Sequence, residues 1–312
     1  MPCDGSLGQE SQGNACAGAG DDERFQSLTL PSGRVLAYGE YGPASGLPLL
    51  YCHGFPSSRL EARLLAPTAR ALGIRLIAAD RPGYGRSDPH PGRDLNATVR
   101  DLVVLLDTLG LAQVGLIGVS GGGPSALAML ALYPERISRA ALVGALGPPW
   151  AIAACRSRFM PLARWAFGAV VRIPGLAPAL ARIGLELIRM ASPRVLSPGF
   201  LAPADRAVLA EPGVRQILMR ARREAFREGT AGSVQDLLLY INHWGFALDA
   251  ISCPVTIWHG TEDTIVPVGM ARQIQRAVPR ADVRIIDGEG HFSVPIRYQS
   301  AIIHTLFPGL AP

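Results

Sequence analysis

The stretch Val114-Gly115-Leu116-Ile117-Gly118-Val119-Ser120-Gly121-Gly122-Gly123-Pro124 runs from apolar residues through glycines straight into a helical pattern that begins near Ser125. A strand that turns at once into a helix forces its corner residue into a strained backbone. The positions two before and two after that corner must then be nearly free of side chain, and Gly118 and Gly122 occupy them. Such a bend holds the Ser120 hydroxyl out of the turn, with the Gly121 amide at the helix start aimed where negative charge would develop. The pattern suits acyl transfer, but in a chain with 35 glycines it also arises by chance. The rest of the chain has to decide.

On both sides of this elbow the chain alternates strand-like and helical segments. Phe25 to Glu40 reads as a hairpin at a sheet edge, turning at Pro31-Ser32-Gly33. Pro48 to Cys52 reads as a buried parallel strand ending in the loop His53-Gly54-Phe55-Pro56. A helix over Leu60 to Leu72 and a strand from Arg75 to Ala79 lead to the loop Asp80-Arg81-Pro82-Gly83-Tyr84-Gly85-Arg86-Ser87-Asp88. Its charges suit buried ion pairs that lock neighbouring loops. A helix over Leu95 to Leu109 precedes the Ser120 strand, and a further strand covers Ala140 to Val143. Alternation of this kind predicts an α/β fold with a mostly parallel, doubly wound sheet.

The alternation stops at Gly147-Pro148-Pro149 and resumes at Pro254 to Trp258. The intervening residues 149–245 read as an inserted helical cap, with Trp150, Phe159, Trp165, Phe167, Met190 and Trp244 among its bulky apolar residues. The core is then residues 25–148 and 246–312, and residues 1–24, rich in Gly, Ser, Ala, Gln and acids, read as a disordered leader. The cap carries thirteen Arg against six acids. No nucleic-acid-binding motif accompanies that charge, and Arg223 and Arg227 beside Glu224 and Glu228 read as a solvated helix face. Five scattered cysteines suggest neither a disulfide framework nor a zinc site. With neither a secretory signal nor an integral membrane segment in view, a cytoplasmic location is expected.

Two late loops complete the chemistry. His259-Gly260-Thr261-Glu262-Asp263 places two candidate acids past a strand's carboxyl end, and Gly290-His291 places an imidazole on a glycine-flanked loop. Strand ends on one edge of a parallel sheet converge, so Ser120, one of these acids and His291 can meet. A serine hydroxyl needs a base, neutral imidazole can serve near pH 7, and a carboxylate orients the imidazole and stabilises its cation. Gly54 and Pro56 fix a backbone that can aim the Phe55 amide beside that of Gly121, as a two-donor oxyanion hole. His53 fits a loop-fixing role, and His90, His243, His259 and His304 lack comparable company.

These motifs, from His53-Gly54-Phe55-Pro56 to Gly290-His291, resemble those of the α/β-hydrolases of the capped, esterase and epoxide-hydrolase-like type. The resemblance covers nearly everything from Phe25 to Leu310. It implies Ser120, Asp263 and His291 as a catalytic triad, Asp263 over Glu262 because its spacing to Val266-Pro267 matches the family pattern. It also implies Phe55 and Gly121 as oxyanion donors, and no metal or cofactor. Serine at the elbow argues against the related dehalogenases and epoxide hydrolases, which carry aspartate there. The expected activity is cleavage of an ester, lactone or thioester of a small apolar substrate through an acyl-enzyme. Acyltransferase, carbon-carbon bond hydrolase and aminopeptidase chemistry stay open, as does a non-catalytic small-molecule binder. The triple glycine Gly121-Gly122-Gly123 after Ser120 departs from the commoner pattern, which has Met or another larger residue there.

Overall fold

The computed structural model describes residues 24–155, 177–190 and 199–310. The expected leader, apart from Arg24, and Phe159, Trp165 and Phe167 of the expected cap lie outside these residues. Arg24 belongs to a strand rather than to the leader, because its backbone pairs with that of Glu40.

Among the described residues eight strands form one sheet: β1 (Arg24–Thr29), β2 (Val35–Tyr41), β3 (Leu47–Cys52), β4 (Ile74–Ala79), β5 (Val114–Val119), β6 (Ile137–Val143), β7 (Val255–Gly260) and β8 (Ala281–Ile286). Their spatial order is β1-β2-β4-β3-β5-β6-β7-β8. The two strands of the hairpin are antiparallel to each other, and β2 is antiparallel to β4; every later pairing is parallel. Parallel strands need crossover connections, and the helices that supply them cover both faces. Successive residues therefore enter different cores. Leu50, Leu116, Leu142 and Ile257 pack on one side, while Leu49, Ile117, Ala141 and Trp258 pack on the other. Every residue of β5 is buried, which is why its sequence is a continuous apolar run rather than an alternating one.

The helices α1 (Ala66–Ala71), α2 (Leu95–Thr108) and α3 (Gly123–Leu132) are the early crossovers. A 3-10 turn over Arg59–Leu64 precedes α1, so the segment expected as one helix is a short turn plus a short helix, with Pro67 opening the second. Strand β6 begins at Ile137, earlier than expected, because its first residues pair with Val114 and Gly115. Between β6 and β7 the described residues form α4 (Pro149–Cys155), α5 (Ala177–Met190), α6 (Pro203–Ala210), α7 (Pro212–Ala225) and α8 (Ala231–Ile241). The ends of this segment merge with the main core, since Ala151, Ile152, Cys155, Tyr240 and Trp244 join the cluster that contains Leu116 and Leu142. The last helices are α9 (Gly269–Ala277), α10 (Ser293–Arg297) and α11 (Gln299–Leu306). No helix among the described residues is long and apolar enough to cross a membrane.

Candidate functional site

The elbow follows from crowding. Ser120 has φ 51°, in the left-handed region that costs a non-glycine residue energy. Its neighbours have no room for side chains: a Cβ at Gly118 would come within 2.5 Å of the Ala126 methyl, and one at Gly122 would overlap the Cys52 carbonyl. The helical turn tightens at Ser120–Gly122 and α3 starts at Gly123, two residues earlier than expected, with Pro124 in its first turn. A Cβ at Gly121 would overlap Cβ of Phe55, which accounts for the glycine at that position.

Ser120, Asp263 and His291 meet at the carboxyl edge of the sheet. His291 Nε2 lies 2.9 Å from Ser120 Oγ, and His291 Nδ1 lies 2.8 Å from Asp263 Oδ2. With Nδ1 donating to the carboxylate, Nε2 is left to accept the serine proton. The other carboxylate oxygen, Asp263 Oδ1, accepts the amides of Ile265 (2.9 Å) and Val266 (2.8 Å). Two glycines make this convergence possible. A side chain at Gly260 would overlap the Glu289 carbonyl, and Gly144, at φ 53°, leaves the space beside the His291 ring and the Asp263 carboxylate. Glu262 is exposed and its amide donates to the Glu289 carbonyl at 2.9 Å, so Asp263 alone of the two acids holds the imidazole.

Charge within the site is strongly biased. Burial works against a charged His291 ring, but the Asp263 carboxylate outweighs it, with Asp205 and Glu61 adding, and the balance lies above the ordinary 6.5. Burial would likewise raise the Asp263 carboxyl, yet the His291 and His259 rings hold it well below the usual carboxylate range. His259 was expected to lack company; the structure corrects this. The Glu262–Val266 turn folds back over β7, bringing His259 Nε2 to 2.8 Å from the Val266 carbonyl and 3.2 Å from Asp263 Oδ2. Two acceptors facing one nitrogen require it to carry the proton.

Phe55 and Gly121 lie side by side, with the Phe55 nitrogen 3.2 Å from where a Gly121 Cβ would sit, and a Cβ at Gly54 would lie 3.6 Å from Ser120 Cβ. The peptide that carries the Phe55 amide is gripped from behind. Arg81 Nη2 donates to the Gly54 carbonyl at 2.9 Å, and Arg81 Nη1 to the His53 carbonyl at 2.5 Å. In a trans peptide the N–H points opposite to the C=O, so tying the Gly54 carbonyl at the back turns the Phe55 N–H forward. His53 is a loop-fixer here: its Nε2 accepts the Arg81 amide at 3.3 Å, and its Nδ1 lies 2.9 Å from the Gly54 carbonyl. Burial and then Arg81 push its pKa well below 6.5, so the ring stays neutral. The Gly54 amide in turn donates to Glu61 Oε1 at 2.9 Å, which also accepts from the Tyr51 hydroxyl at 2.8 Å.

Helix α8 closes this arrangement. Asp236 accepts from Arg81 Nε (2.7 Å), the Tyr84 hydroxyl (2.8 Å) and Arg93 Nη2, and the Tyr240 hydroxyl donates to the Gly121 carbonyl at 2.7 Å. Burial opposes the Asp236 charge, but Arg81 and Arg93 bring its pKa down to about 2. Asp205, buried on α6, accepts the amides of His291, Phe292 and Ser293, each at 2.8 Å. The expected solvated face holds for Arg223 on α7 and for Arg227 and Glu228 in the turn just past its end, which are exposed, but not for Glu224. Its carboxylate turns inward to Arg59 at 3.0 Å, and Arg59 is itself paired to Asp80 at 2.6 Å. Among the described residues no group of three or more His, Cys, Asp and Glu is placed to hold a metal ion. Cys52 is buried, which pushes its thiol up to about 12 and leaves it protonated.

A family model for the alpha/beta hydrolase fold matches residues 48–297. The chain is 26% identical over 282 residues to an uncharacterized hydrolase, YcgS, of Bacillus subtilis (strain 168), spanning 86% of this chain and 92% of that protein. It is 27% identical over 251 residues to a 2-hydroxymuconate semialdehyde hydrolase of Pseudomonas putida, spanning 80% and 82%. A solved thermophilic esterase from Thermogutta terrifontis superposes with a TM-score of 0.58 at 26% identity, over 91% of this chain and 98% of that one. The family match covers most of the sheet and every residue of the site described above, and on that ground the chain belongs to the α/β hydrolase fold family.

Proposed function

We propose that this protein is a serine hydrolase that cleaves an ester, lactone or thioester of a small apolar substrate through an acyl-enzyme, beneath a cap formed by the helices between β6 and β7. The observation that carries the reading is the relay Ser120 Oγ to His291 Nε2 at 2.9 Å and His291 Nδ1 to Asp263 at 2.8 Å. In this mechanism Ser120 attacks the carbonyl carbon while its proton passes to His291, and Asp263 stabilises the imidazolium. Charge that develops on the carbonyl oxygen is met by the Phe55 and Gly121 amides. Collapse breaks the bond to the leaving group, which takes the proton from His291. Water then attacks the acyl-enzyme with His291 again as base, releasing the acid and restoring Ser120.

The relative from Pseudomonas putida that carries the name of a semialdehyde hydrolase favours a second reading, cleavage of a carbon-carbon bond by the same three residues. Product analysis separates the two, and added alcohol or amine acceptors separate hydrolysis from acyl transfer.

Fluorophosphonate labelling tests the nucleophile directly. One equivalent is expected to bind, and mass spectrometry of the digested protein is expected to find it on Ser120. A label elsewhere, or none, sinks the proposal.

The pH profile tests the base. Only neutral imidazole accepts the serine proton, so activity falls as His291 becomes charged. Because its neighbours raise its pKa, kcat/KM for a neutral ester is expected to climb with unit slope through a midpoint above 6.5. A flat profile from pH 5 to 9 removes His291 from that role.

A further inference from the structure

Asp205 stands apart from the three residues that do the proposed chemistry, and nothing in its local sequence explains its burial. It lies in the first turn of α6, 86 positions before His291, and is fully buried. Its carboxylate spans three consecutive amides of the base loop: Oδ2 takes His291 N–H, while Oδ1 takes those of Phe292 and Ser293. The Ser293 amide opens α10 and has no acceptor within that helix. Ser293 Oγ closes the loop from the other side by accepting the Gly290 amide at 2.8 Å, and a side chain at Gly290 would run into the Asp205 carboxylate. A buried carboxylate is costly unless several donors satisfy it, so the loop and the carboxylate hold each other in one geometry.

We propose that Asp205 is a positioning residue for His291, fixing the backbone of the base loop through three amides and placing a negative charge beside the imidazole, so that the base is fully poised only while α6 is seated against it. The inference rests on His291 acting as the general base. Several charged groups surround that ring. Asp263 after β7 dominates, Glu61 reaches it from the 3-10 turn before α1, and Asp205 adds from α6. His259 stands behind Asp263, and Glu289, two residues upstream, is engaged by Arg297 at 3.1 Å. Asp205 is the only one of the carboxylates named here that lies between β6 and β7. It therefore couples the inserted segment to the base.

The test is the pH profile of ester cleavage by the full-length protein, per active site titrated with a fluorophosphonate, for wild type, Asp205→Asn and Asp205→Glu. Normalising to labelled sites removes any loss that comes from less folded protein. Asp205→Asn is expected to lower the plateau kcat/KM by about 10- to 100-fold, since small misplacements of a reacting group cost that much. It is also expected to shift the midpoint downward by about half a unit or more, because removing a nearby negative charge disfavours the imidazolium. Asp205→Glu keeps the charge but displaces it, so its plateau falls while its midpoint stays near wild type. If Asp205→Asn matches wild type in both plateau and midpoint, the inference is overturned while the triad reading stands. Should the Asn variant not fold, a Glu variant as fast as wild type overturns it equally. A wild-type protein that takes no label and shows no pH limb defeats the underlying triad reading instead.

Discussion

Ser120→Ala is expected to leave a folded protein whose ester cleavage is reduced by about 10⁴- to 10⁶-fold, with no remaining fluorophosphonate label. The size follows from what the hydroxyl does in the proposed relay. His291 Nε2 faces Ser120 Oγ at 2.9 Å, and alanine leaves the imidazole with no nucleophile to activate. Residual activity would come from water attacking a carbonyl still held against the Phe55 and Gly121 amides. The fold should survive because serine and alanine share the same Cβ. Both suffer the same strain at φ 51°, and Gly118 and Gly122 accommodate either. The comparison is made on 4-nitrophenyl acetate or a homologous short ester, with thermal melting as the control for folding. An alanine variant within tenfold of wild type, and melting with it, would remove Ser120 from the chemistry altogether.

What could be read in the sequence shares a physical character: it was local. The continuous apolar run of β5, the glycines flanking Ser120 and the Gly290 that precedes His291 are short-range requirements of backbone packing, and each leaves its mark within a few residues. The convergence of strand ends then follows from the topology, so three distant side chains could be brought together in advance. The residues that hold those three in place were not legible, because their partners are far off in the chain. Asp205 in the first turn of a helix looks like a complement to the helix dipole, and its real partners are 86 to 88 residues away. Glu224 is satisfied on paper by Arg227, three residues on, yet Arg59, 165 residues away, turns it inward. His259 gains its neighbours only when the following turn doubles back. Asp236 inverts the usual pattern. Gly232, Ser233, Asp236 and Tyr240 form the buried face of α8, while Leu237, Leu238 and Leu239 are only partly buried. A helix read by its apolar periodicity would have been turned the other way.

That inverted face carries the second large effect. Asp236→Ala is expected to destabilise the protein by about 3–5 kcal/mol, the cost typical of removing one partner from a buried ion pair. Its side chain is enclosed between Arg81 and Arg93, whose own side chains are 7% and 0% exposed, so alanine strands two guanidinium groups where water cannot reach them. For a chain of this size the loss corresponds to a fall in melting temperature on the order of 5–10 °C. The pH dependence has a definite sign. Asp236 is held at about 2 in the folded state against an ordinary 3.8, so its stabilisation is present above about 4 and is lost as pH falls through 2. Wild type and variant should therefore differ fully at pH 7, and the gap should narrow in strong acid without closing, since the displaced carboxyl accounts for only part of it. Activity adds a separate reading. Arg81 holds the Gly54 carbonyl, and thereby the Phe55 amide that the proposed mechanism aims at the oxyanion; a slackened Arg81 should lower kcat more than it raises KM, because that amide acts on charge present only in the transition state. A variant that melts with wild type at pH 7 would mean that the charge on α8 is not what fastens this helix to the loop between β4 and α2 that carries Arg81 and Arg93. A variant that loses stability but keeps kcat would mean that the Gly54-Phe55 peptide is fixed without Arg81, by His53 and Glu61 alone.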